Sequence, residues 1–353
     1  HGKLVYLQSM GWQDVENNDA MRANSIFQIR SMSKPIVSAA ILQLIEQGQL
    51  ALSDPVARYI PAFGDMQVFI NPADPDNSPL RAPTRAMTIE DLLLNMGGLS
   101  HRLGPLYTSR QVRSRADTLE QLVAKVAAVP LVADPGTQWV YSISATVLGR
   151  IVEIVSGRRF DDYLRTEILQ PLSMPDTDFH VPGDKINRLA HPYQVVQDEL
   201  MLRPIPPMSI PITQAPPLLE GAAGLVSTVP DYLRFLQAML NGGELDGKRI
   251  LSTASVATMI SNHVPAAALP ISLSGSSLPA LGWGYGFSVV IDETQSAYGV
   301  NNGEFGWNGS LGTFSWADPE TQTIAILMMQ VAPAGAWNLS ALFKTLVSQA
   351  LID

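Results

Sequence analysis

The order of predicted elements along the chain constrains the fold more than any other feature of the sequence. Short apolar segments bounded by turn residues predict strands near the beginning, at 3–11 and 25–31. Strands return only near the end, at 284–292, 312–318 and 322–331, and the segments between are mostly helical in period. This order predicts one sheet built from both ends of the chain, with a mostly helical region inserted between them.

The helical segments carry recognisable start and stop residues. From Ser31 onward apolar residues recur at helical spacing, and Gly48 stands where that helix would stop. Thr88 and Asp91 are spaced like a capping box, and Gly157 follows the apolar stripe of another helix. The further helices are predicted at 88–98, 141–157, 230–243 and 336–352.

Composition excludes several classes of function. The 353 residues carry a net charge of −9 without a block of lysine and arginine, so neither nucleic acid nor an anionic membrane is expected as a partner. No apolar run is long enough to span a bilayer. The chain has no cysteine, and its five histidines lack metal-ligand spacing, so we expect no disulfide, metal or cofactor. The compartment is not fixed, although the lack of a signal-peptide pattern slightly favours the cytoplasm.

The stretch "SMSKP" at 31–35 suggests a nucleophile. Lysine is scarce, and of the six only Lys34 has a serine three residues before it. Positions i and i+3 share a helix face, so Lys34 can reach Ser31 and act as its base. Pro35 is tolerated because it falls in the first helical turn. A neutral lysine requires burial, so the site should be enclosed. The alternative is a capping serine followed by a surface lysine, and for an isolated pair this alternative is favoured.

Two further segments favour the catalytic interpretation of Ser31 and Lys34 when they are considered together with it. Tyr141 follows the Pro-Gly turn in "PGTQWVYS", and the glycine-rich "GWNGSLGT" at 306–313 precedes a strand. Taken singly, Tyr141 is read as a core tyrosine and the glycines as a bulge. An α/β-hydrolase is not supported, because no serine has glycine at both flanking positions of a G-x-S-x-G elbow.

Together these segments resemble the three motifs of the penicillin-recognising serine hydrolases, in order: Ser31-Met32-Ser33-Lys34, then Tyr141-Ser142, then Trp307-Asn308-Gly309. The chain is most similar to the class C β-lactamase-like branch, especially the family VIII carboxylesterases. Supporting phrases such as "MTIEDLLLNMGGL" and "WADPETQTIAILMMQ" cover nearly the whole chain.

The resemblance implies an α/β (α+β) fold of the β-lactamase and transpeptidase type, in which helices flank an antiparallel sheet beside a mostly helical domain. We expect residues 1–54 and 215–353 to form the sheet-containing domain and 55–214 the helical insert, with the site between them.

The resemblance also implies roles for individual residues. Ser31 would form an acyl-enzyme, and Lys34 and Tyr141 would move the proton. The backbone N–H groups of Ser31 and Ser310 would bind the oxyanion. The substrate would be bound by the third motif, at Trp307, Asn308 and Gly309. No metal or cofactor is implied.

Three positions depart from the family pattern. Ile143 stands where the Tyr motif usually has asparagine or serine. A polar contact to the substrate or to Lys34 is therefore lost, unless Ser144 supplies it. The phrase Asn95-Met96-Gly97-Gly98-Leu99 replaces a His-Thr-Ser-Gly-Leu-like phrase, without an evident consequence. Trp307 stands where β-lactamases carry a lysine that helps to hold the substrate carboxylate. An uncharged group suits tryptophan better, which favours esters over penicillins.

We therefore expect a serine carboxylesterase that hydrolyses small to medium neutral esters. A β-lactamase, a D-amino-acid peptidase or an acyltransferase would use the same chemistry. An inactive binding protein on this scaffold is the remaining alternative, and the intact Ser31, Lys34 and Tyr141 argue against it.

The beginning of the chain carries one more expectation. In the family a helix and a first strand precede the segment that begins at "HGKLVY". We therefore expect the natural protein to be longer at its N-terminus, by a helix and a strand that come before His1. That first strand would lie between the strand at 3–10 and the strand at 322–331. The alternative is that 3–10 pairs directly with 322–331 in a smaller sheet.

Overall fold

The computed structural model describes residues 2–196, 201–205, 209–296 and 299–351. Within these ranges the chain contains both helices and strands, with five helices in succession from α2 to α6 and eight strands in succession before the last helix. The α-helices are α1 Ser33–Glu46, α2 Ile89–Leu93, α3 Pro105–Ser109, α4 Leu119–Ala127, α5 Ser144–Ser156, α6 Phe160–Leu164, α7 Val229–Leu240, α8 Thr253–Met259 and α9 Leu339–Ala350.

The strands are short, and most of them form small two- or three-stranded sheets. They are β1 Trp12–Asp14, β2 Asp19–Ala20, β3 Phe27–Gln28, β4 Val68–Phe69, β5 Leu80–Arg81, β6 Tyr193–Val196, β7 Met201–Pro204, β8 Val226–Ser227, β9 Glu244–Leu245, β10 Lys248–Arg249, β11 Ile271–Leu273, β12 Ser276–Leu278, β13 Leu281–Trp283, β14 Ser288–Val290, β15 Phe305–Asn308, β16 Phe314–Asp318, β17 Thr323–Leu327 and β18 Val331–Ala332.

The largest sheet is antiparallel and has five strands in the order β13-β14-β15-β16-β17. In the β15–β16 pair Trp307 lies opposite Ser315. The β16–β17 hairpin closes at the pair Asp318 and Thr323, around the predicted turn. The predicted α+β fold is confirmed, although each of these strands is shorter than its apolar segment in the sequence.

Helix α1 lies in the core of the molecule. Every residue of α1 from Ser33 to Leu44 is buried, so the helix has no solvent face over that length. It packs against α5, α6 and α8, while α7 packs on β16 and β17. Tyr232 of α7 donates a hydrogen bond to the backbone carbonyl of Met32, 3.0 Å away, and so ties α7 to the start of α1. The beginning of this central helix is therefore held from outside the helix.

The predicted helix caps are present. Thr88 and Asp91 form a capping box at the start of α2, and Gly157 ends α5 in the left-handed region with φ 67°. Helix α2 is shorter than predicted and ends at Leu93, because Asn95 turns the chain at φ 55°. The segment after α2 is therefore a turn instead of helix.

The prediction of a strand at 3–11 is wrong. Residues 3–10 form no strand, and most of their apolar side chains are exposed. Among the described residues β17 has β16 as its only strand neighbour, so the direct pairing of 3–10 with 322–331 does not occur. A short apolar segment forms a strand only where a partner completes its backbone hydrogen bonds. The strand predicted at 25–31 is reduced to β3, which pairs with β8.

The helical insert predicted at 55–214 is joined to the rest of the chain by a small sheet. Strands β6 and β7 fall inside that range, yet β18 near the end of the chain pairs with β6. One large apolar cluster also runs through both predicted domains. In the part of the chain that the structure covers, no helix has the length and apolar character needed to cross a bilayer.

Candidate active site

Ser31 lies in a short 3₁₀ turn, Arg30–Met32, that leads directly into α1. Arg30 adopts a left-handed φ of 50°, which is unusual for a residue other than glycine. Ser33 holds this turn: its Oγ donates to the carbonyl of Arg30 at 2.7 Å and accepts from the N–H of Leu225 at 3.1 Å. The serine that sequence reasoning singled out thus sits in a strained turn fixed by its neighbour.

Lys34 is buried beside Ser31, with only 2% of its surface exposed. Its Nζ donates to the carbonyl of Ala222 at 2.8 Å and lies 3.4 Å from Ser31 Oγ. Nζ is also 4.4 Å from the centre of the Tyr141 ring. Burial lowers the pKa of Lys34 below the ordinary 10.5, and the interaction with Tyr141 opposes this shift without reversing it. The structure therefore brings Ser31, Lys34 and Tyr141 together.

Aromatic side chains surround Tyr141. The rings of His101 and Trp139 stack on it, each with a centroid distance of 5.8 Å. Trp307 approaches with a centroid distance of 5.5 Å, and its Nε1 donates a hydrogen bond to Tyr141 Oη at 2.8 Å. Because an indole N–H can only donate, Oη accepts this bond, and the phenol proton is left for another partner.

The phrase that follows α2 positions the tyrosine motif. Asn95 accepts the N–H of Val140 with its carbonyl at 2.8 Å. Its side-chain Oδ1 accepts from both the N–H and the Oγ of Ser142, at 3.2 and 3.1 Å. The segment 95–99, which had no evident consequence in the sequence analysis, thus fixes the backbone on both sides of Tyr141.

The departure at Ile143 has a structural outcome as well. Ile143 is fully buried, and Ser144 Oγ is hydrogen-bonded to Ser142 Oγ at 2.7 Å. Ser144 therefore bonds within its own motif and not with Lys34. The polar contact of Lys34 comes instead from the carbonyl of Ala222, whose own N–H is held by Thr146 Oγ1 at 3.1 Å. Sequence reasoning missed Ala222, because a backbone carbonyl leaves no signature in residue type.

The third motif lies against the nucleophile turn. Thr313 Oγ1 donates to the carbonyl of Ile29 at 3.2 Å. A Cβ built on Gly309 would lie 2.5 Å from that same carbonyl oxygen, so only glycine allows this approach. Asn308 and Ser310 are exposed next to Gly309. Among the described residues the backbone N–H groups of Ser31 and Ser310 donate to no acceptor, which leaves both available.

Two cavities in the described part of the chain are lined by neither Ser31, Lys34 nor Tyr141. A cavity of about 660 Å³ is lined by Leu44, Tyr59 and Tyr163, away from Ser31. A second cavity of about 320 Å³ touches Trp307 and Asn308 but extends towards Lys344. The convergence of Ser31, Lys34 and Tyr141, and not the size of a cavity, therefore identifies the candidate site. In the described ranges no cluster of histidine and acidic side chains could hold a metal ion.

Comparison with known proteins agrees with this geometry. Residues 1–341 match the beta-lactamase family model. The chain belongs to the beta-lactamase family. Protein Rv1367c of Mycobacterium tuberculosis is 32% identical over 340 residues, which cover 94% of this chain and 84% of that protein. Esterase EstB of Burkholderia gladioli is 28% identical over 93% of this chain and 83% of its own length.

Solved structures share the fold of this chain. The structure titled "EstCE1, a hydrolase with promiscuous acyltransferase activity" superposes with a TM-score of 0.80 and 26% identity, over 94% of this chain and 86% of that one. Simvastatin synthase (LovD) from Aspergillus terreus has a TM-score of 0.81 at 21% identity, over 99% and 91%, and shows the fold alone. This beta-lactamase family member is a serine hydrolase.

Proposed function

We propose that the chain is a serine carboxylesterase that hydrolyses small to medium esters through an acyl-enzyme on Ser31. The observation that carries the proposal is the position of Lys34, which is buried with its Nζ 3.4 Å from Ser31 Oγ. A lysine whose pKa is lowered by burial is a base suited to activate a serine. The similarity to esterase EstB supports the same class of substrate.

The reaction follows from the placement of three side chains. Ser31 Oγ attacks the ester carbonyl carbon while its proton passes to Lys34, and Tyr141 shares this proton transfer. The N–H groups of Ser31 and Ser310 stabilise the oxyanion. When the carbon–oxygen bond to the alcohol breaks, the leaving oxygen takes the proton. Water then attacks the acyl-enzyme and gives a proton to the same base. The bond between the acyl carbon and Ser31 Oγ breaks, Oγ takes the proton back from the base, and the acid is released.

Trp307 supports an uncharged group in its part of the site. Its side chain is only 5% exposed, and its N–H is already bonded to Tyr141. No charge is therefore presented at this position to a substrate carboxylate, unlike the lysine of the β-lactamases. An ester with a neutral group against Trp307 is favoured over a penicillin.

An acyltransferase is the second candidate. The acyl-enzyme is the same, and the outcome depends on whether water or another alcohol attacks it. The similarity to EstCE1, a hydrolase with promiscuous acyltransferase activity, favours this candidate over a β-lactamase or a D-amino-acid peptidase.

Turnover of p-nitrophenyl esters of graded acyl-chain length, beside a chromogenic cephalosporin, tests the proposal. We expect efficient turnover of short-chain esters and slow or no turnover of the cephalosporin. Ser31→Ala should abolish both. The variant should fold normally, because Ser31 Oγ caps neither the 3₁₀ turn nor α1. A cephalosporin kcat/KM equal to that of the best ester, or phosphonate labelling of a residue other than Ser31, would contradict the proposal.

A further inference from the structure

Four arginines surround a single glutamate next to the nucleophile turn. This arginine cluster comprises Glu220 and the side chains of Arg30, Arg102, Arg113 and Arg115. Four guanidinium groups therefore share one carboxylate in a largely buried region. The imbalance is unusual, because buried charges are normally paired.

Glu220 neutralises only part of the positive charge of the four arginines. Arg113 forms a bidentate ion pair with Glu220, in which Nε donates to Oε1 at 2.8 Å and Nη2 donates to Oε2 at 2.7 Å. Arg102 Nη1 lies 3.4 Å from each oxygen of the same carboxylate. Burial alone would raise the pKa of Glu220, but Arg102 and Arg113 outweigh it and lower the pKa to about 2. Glu220 is therefore ionised at neutral pH, and its oxygens are fully used.

Within the described part of the chain, the guanidinium groups of Arg30 and Arg115 have no acceptor. Among the described residues neither Arg30 nor Arg115 donates a side-chain hydrogen bond, and Arg115 Nε and Nη2 are shielded from solvent. Burial, followed by repulsion from Arg102, lowers the pKa of Arg30 to about 10, which still leaves it charged at neutral pH. Donors of this kind normally have a partner, so the absence of one here points to a ligand that is not part of the chain.

The cluster borders the candidate active site. Arg30 directly precedes Ser31, and its Cβ would lie 3.2 Å from a Cβ built on Gly309. Glu220 is two residues from Ala222, the acceptor of Lys34. Arg102 follows His101, whose ring stacks on Tyr141. Burial and then Arg102 lower the pKa of His101 to about 4, so the neutral imidazole adds no charge of its own at pH 7.

We propose that the arginine cluster forms an anion subsite, and that the preferred substrates are esters carrying a carboxylate that Arg30 and Arg115 bind. This inference rests on the proposed esterase function and narrows its substrate class: in place of the wholly neutral esters expected from the sequence, it names esters with a neutral group at one end and a carboxylate at the other. A planar carboxylate matches a guanidinium with two parallel hydrogen bonds, as Arg113 and Glu220 already show in this chain. The neutral group of the ester lies against Trp307, and the carboxylate lies on the Arg30 side.

Matched pairs of esters test the inference. One pair is p-nitrophenyl hemiglutarate and its methyl ester, in which the charge is on the acyl part. The other pair is 4-carboxyphenyl butyrate and its methyl ester, in which the charge is on the alcohol part. We expect the charged member of at least one pair to have a kcat/KM about tenfold higher or more, through a lower KM, and added salt to reduce this ratio.

Variants locate the subsite. Arg115→Gln and Arg30→Gln should each lower the ratio of charged to uncharged kcat/KM towards one. Arg249→Gln is the control, since it removes one exposed arginine that pairs with Glu244 outside the cluster. If Arg30→Gln does not fold, the test still rests on the ratio of charged to uncharged kcat/KM in the wild type and in Arg115→Gln. A wild-type ratio of one for both pairs, or a preference that persists in both variants, would overturn the inference.

The two proposals fail in different ways. Suppose that the methyl esters are hydrolysed, that Ser31→Ala abolishes this hydrolysis, and that the charged esters are not preferred. The esterase function would then stand, and the anion subsite would be rejected. No turnover of any of the four esters would instead contradict the esterase function itself.

Discussion

Trp307 Nε1 donates a 2.8 Å hydrogen bond to Tyr141 Oη and thereby fixes the tyrosine of the candidate site. Trp283 packs edge-on against Trp307, with ring centroids 4.6 Å apart at 90°, so the indole has little freedom to turn. Trp307, which stands where β-lactamases carry a lysine, thus contacts Tyr141 Oη through the only polar atom of its side chain. We infer that Trp307 positions the proton-transfer group in addition to shaping the pocket.

Trp307→Phe should lower kcat about tenfold with a smaller effect on KM, because it removes one buried hydrogen bond and keeps an aromatic ring. Steady-state kinetics on a neutral ester measure both parameters. Trp283→Phe is the matched control: it removes the bond from Nε1 to the Leu93 carbonyl, 3.2 Å long, and should lower stability more than kcat. Equal loss of kcat in the two variants would argue against a specific role for the Trp307–Tyr141 bond.

Lys34→Met and Tyr141→Phe should each lower kcat by several orders of magnitude, since in the proposed mechanism the two side chains move one proton together. Methionine keeps the apolar stem of the buried lysine and limits the loss of packing. The double variant should lose far less than the product of the two single losses. Pre-steady-state acylation rates give the comparison, and losses that multiply would show that the two residues act independently.

The pH dependence of kcat/KM should report Lys34. Because burial lowers the pKa of this lysine below 10.5, activity should rise as Lys34 loses its proton and level off before pH 10.5. Titration of the released acid at constant pH measures this with an aliphatic ester and avoids a titrating leaving group. His101→Gln should keep the rise in place, since the pKa of His101 is already about 4. A rise centred on 10.5 would mean that Lys34 is not the base.

Glu220→Gln should lower the free energy of unfolding by about 3–5 kcal/mol, because it leaves the buried arginines without their carboxylate. The folded-state pKa of Glu220, about 2, lies below the ordinary 4.5. Its contribution is therefore present above pH 4.5 and is lost as the pH falls towards 2. Urea unfolding across this range should show the difference from wild type narrowing in acid.

The control for this variant is Glu244→Gln, which removes the carboxylate of an exposed pair with Arg249. Surface pairs of this kind contribute about 0–1 kcal/mol, so we expect a small change that depends little on pH. If the two variants were equally stable, the arginine cluster would not depend on Glu220 for its stability.

The sequence predicted those parts of the site that depend on local spacing. The i, i+3 relation placed Lys34 near Ser31, and the capping box and Gly157 set helix ends that the structure confirms. The family motifs added Tyr141 and the third motif. Their catalytic and binding roles stay predictions that the kinetic experiments address.

The rest depends on contacts between distant segments. Lys34 and Ala222 are separated by 188 positions, and Arg113 and Glu220 by 107. No local periodicity reveals such pairs, so the acceptor of the lysine and the arginine cluster were both missed. The strand predicted at 3–11 failed for the same reason, because a short apolar segment does not specify whether a partner strand is available.

The hydrogen bond between Thr313 and Ile29 joins positions 284 residues apart. The turn that carries Ser31 is therefore completed by a loop from the far end of the chain, and the helices between can form while it is still open. Closing so long a loop is slow compared with local helix formation. We therefore expect hydrolytic competence to appear late in folding, when these two distant segments of the polypeptide have met.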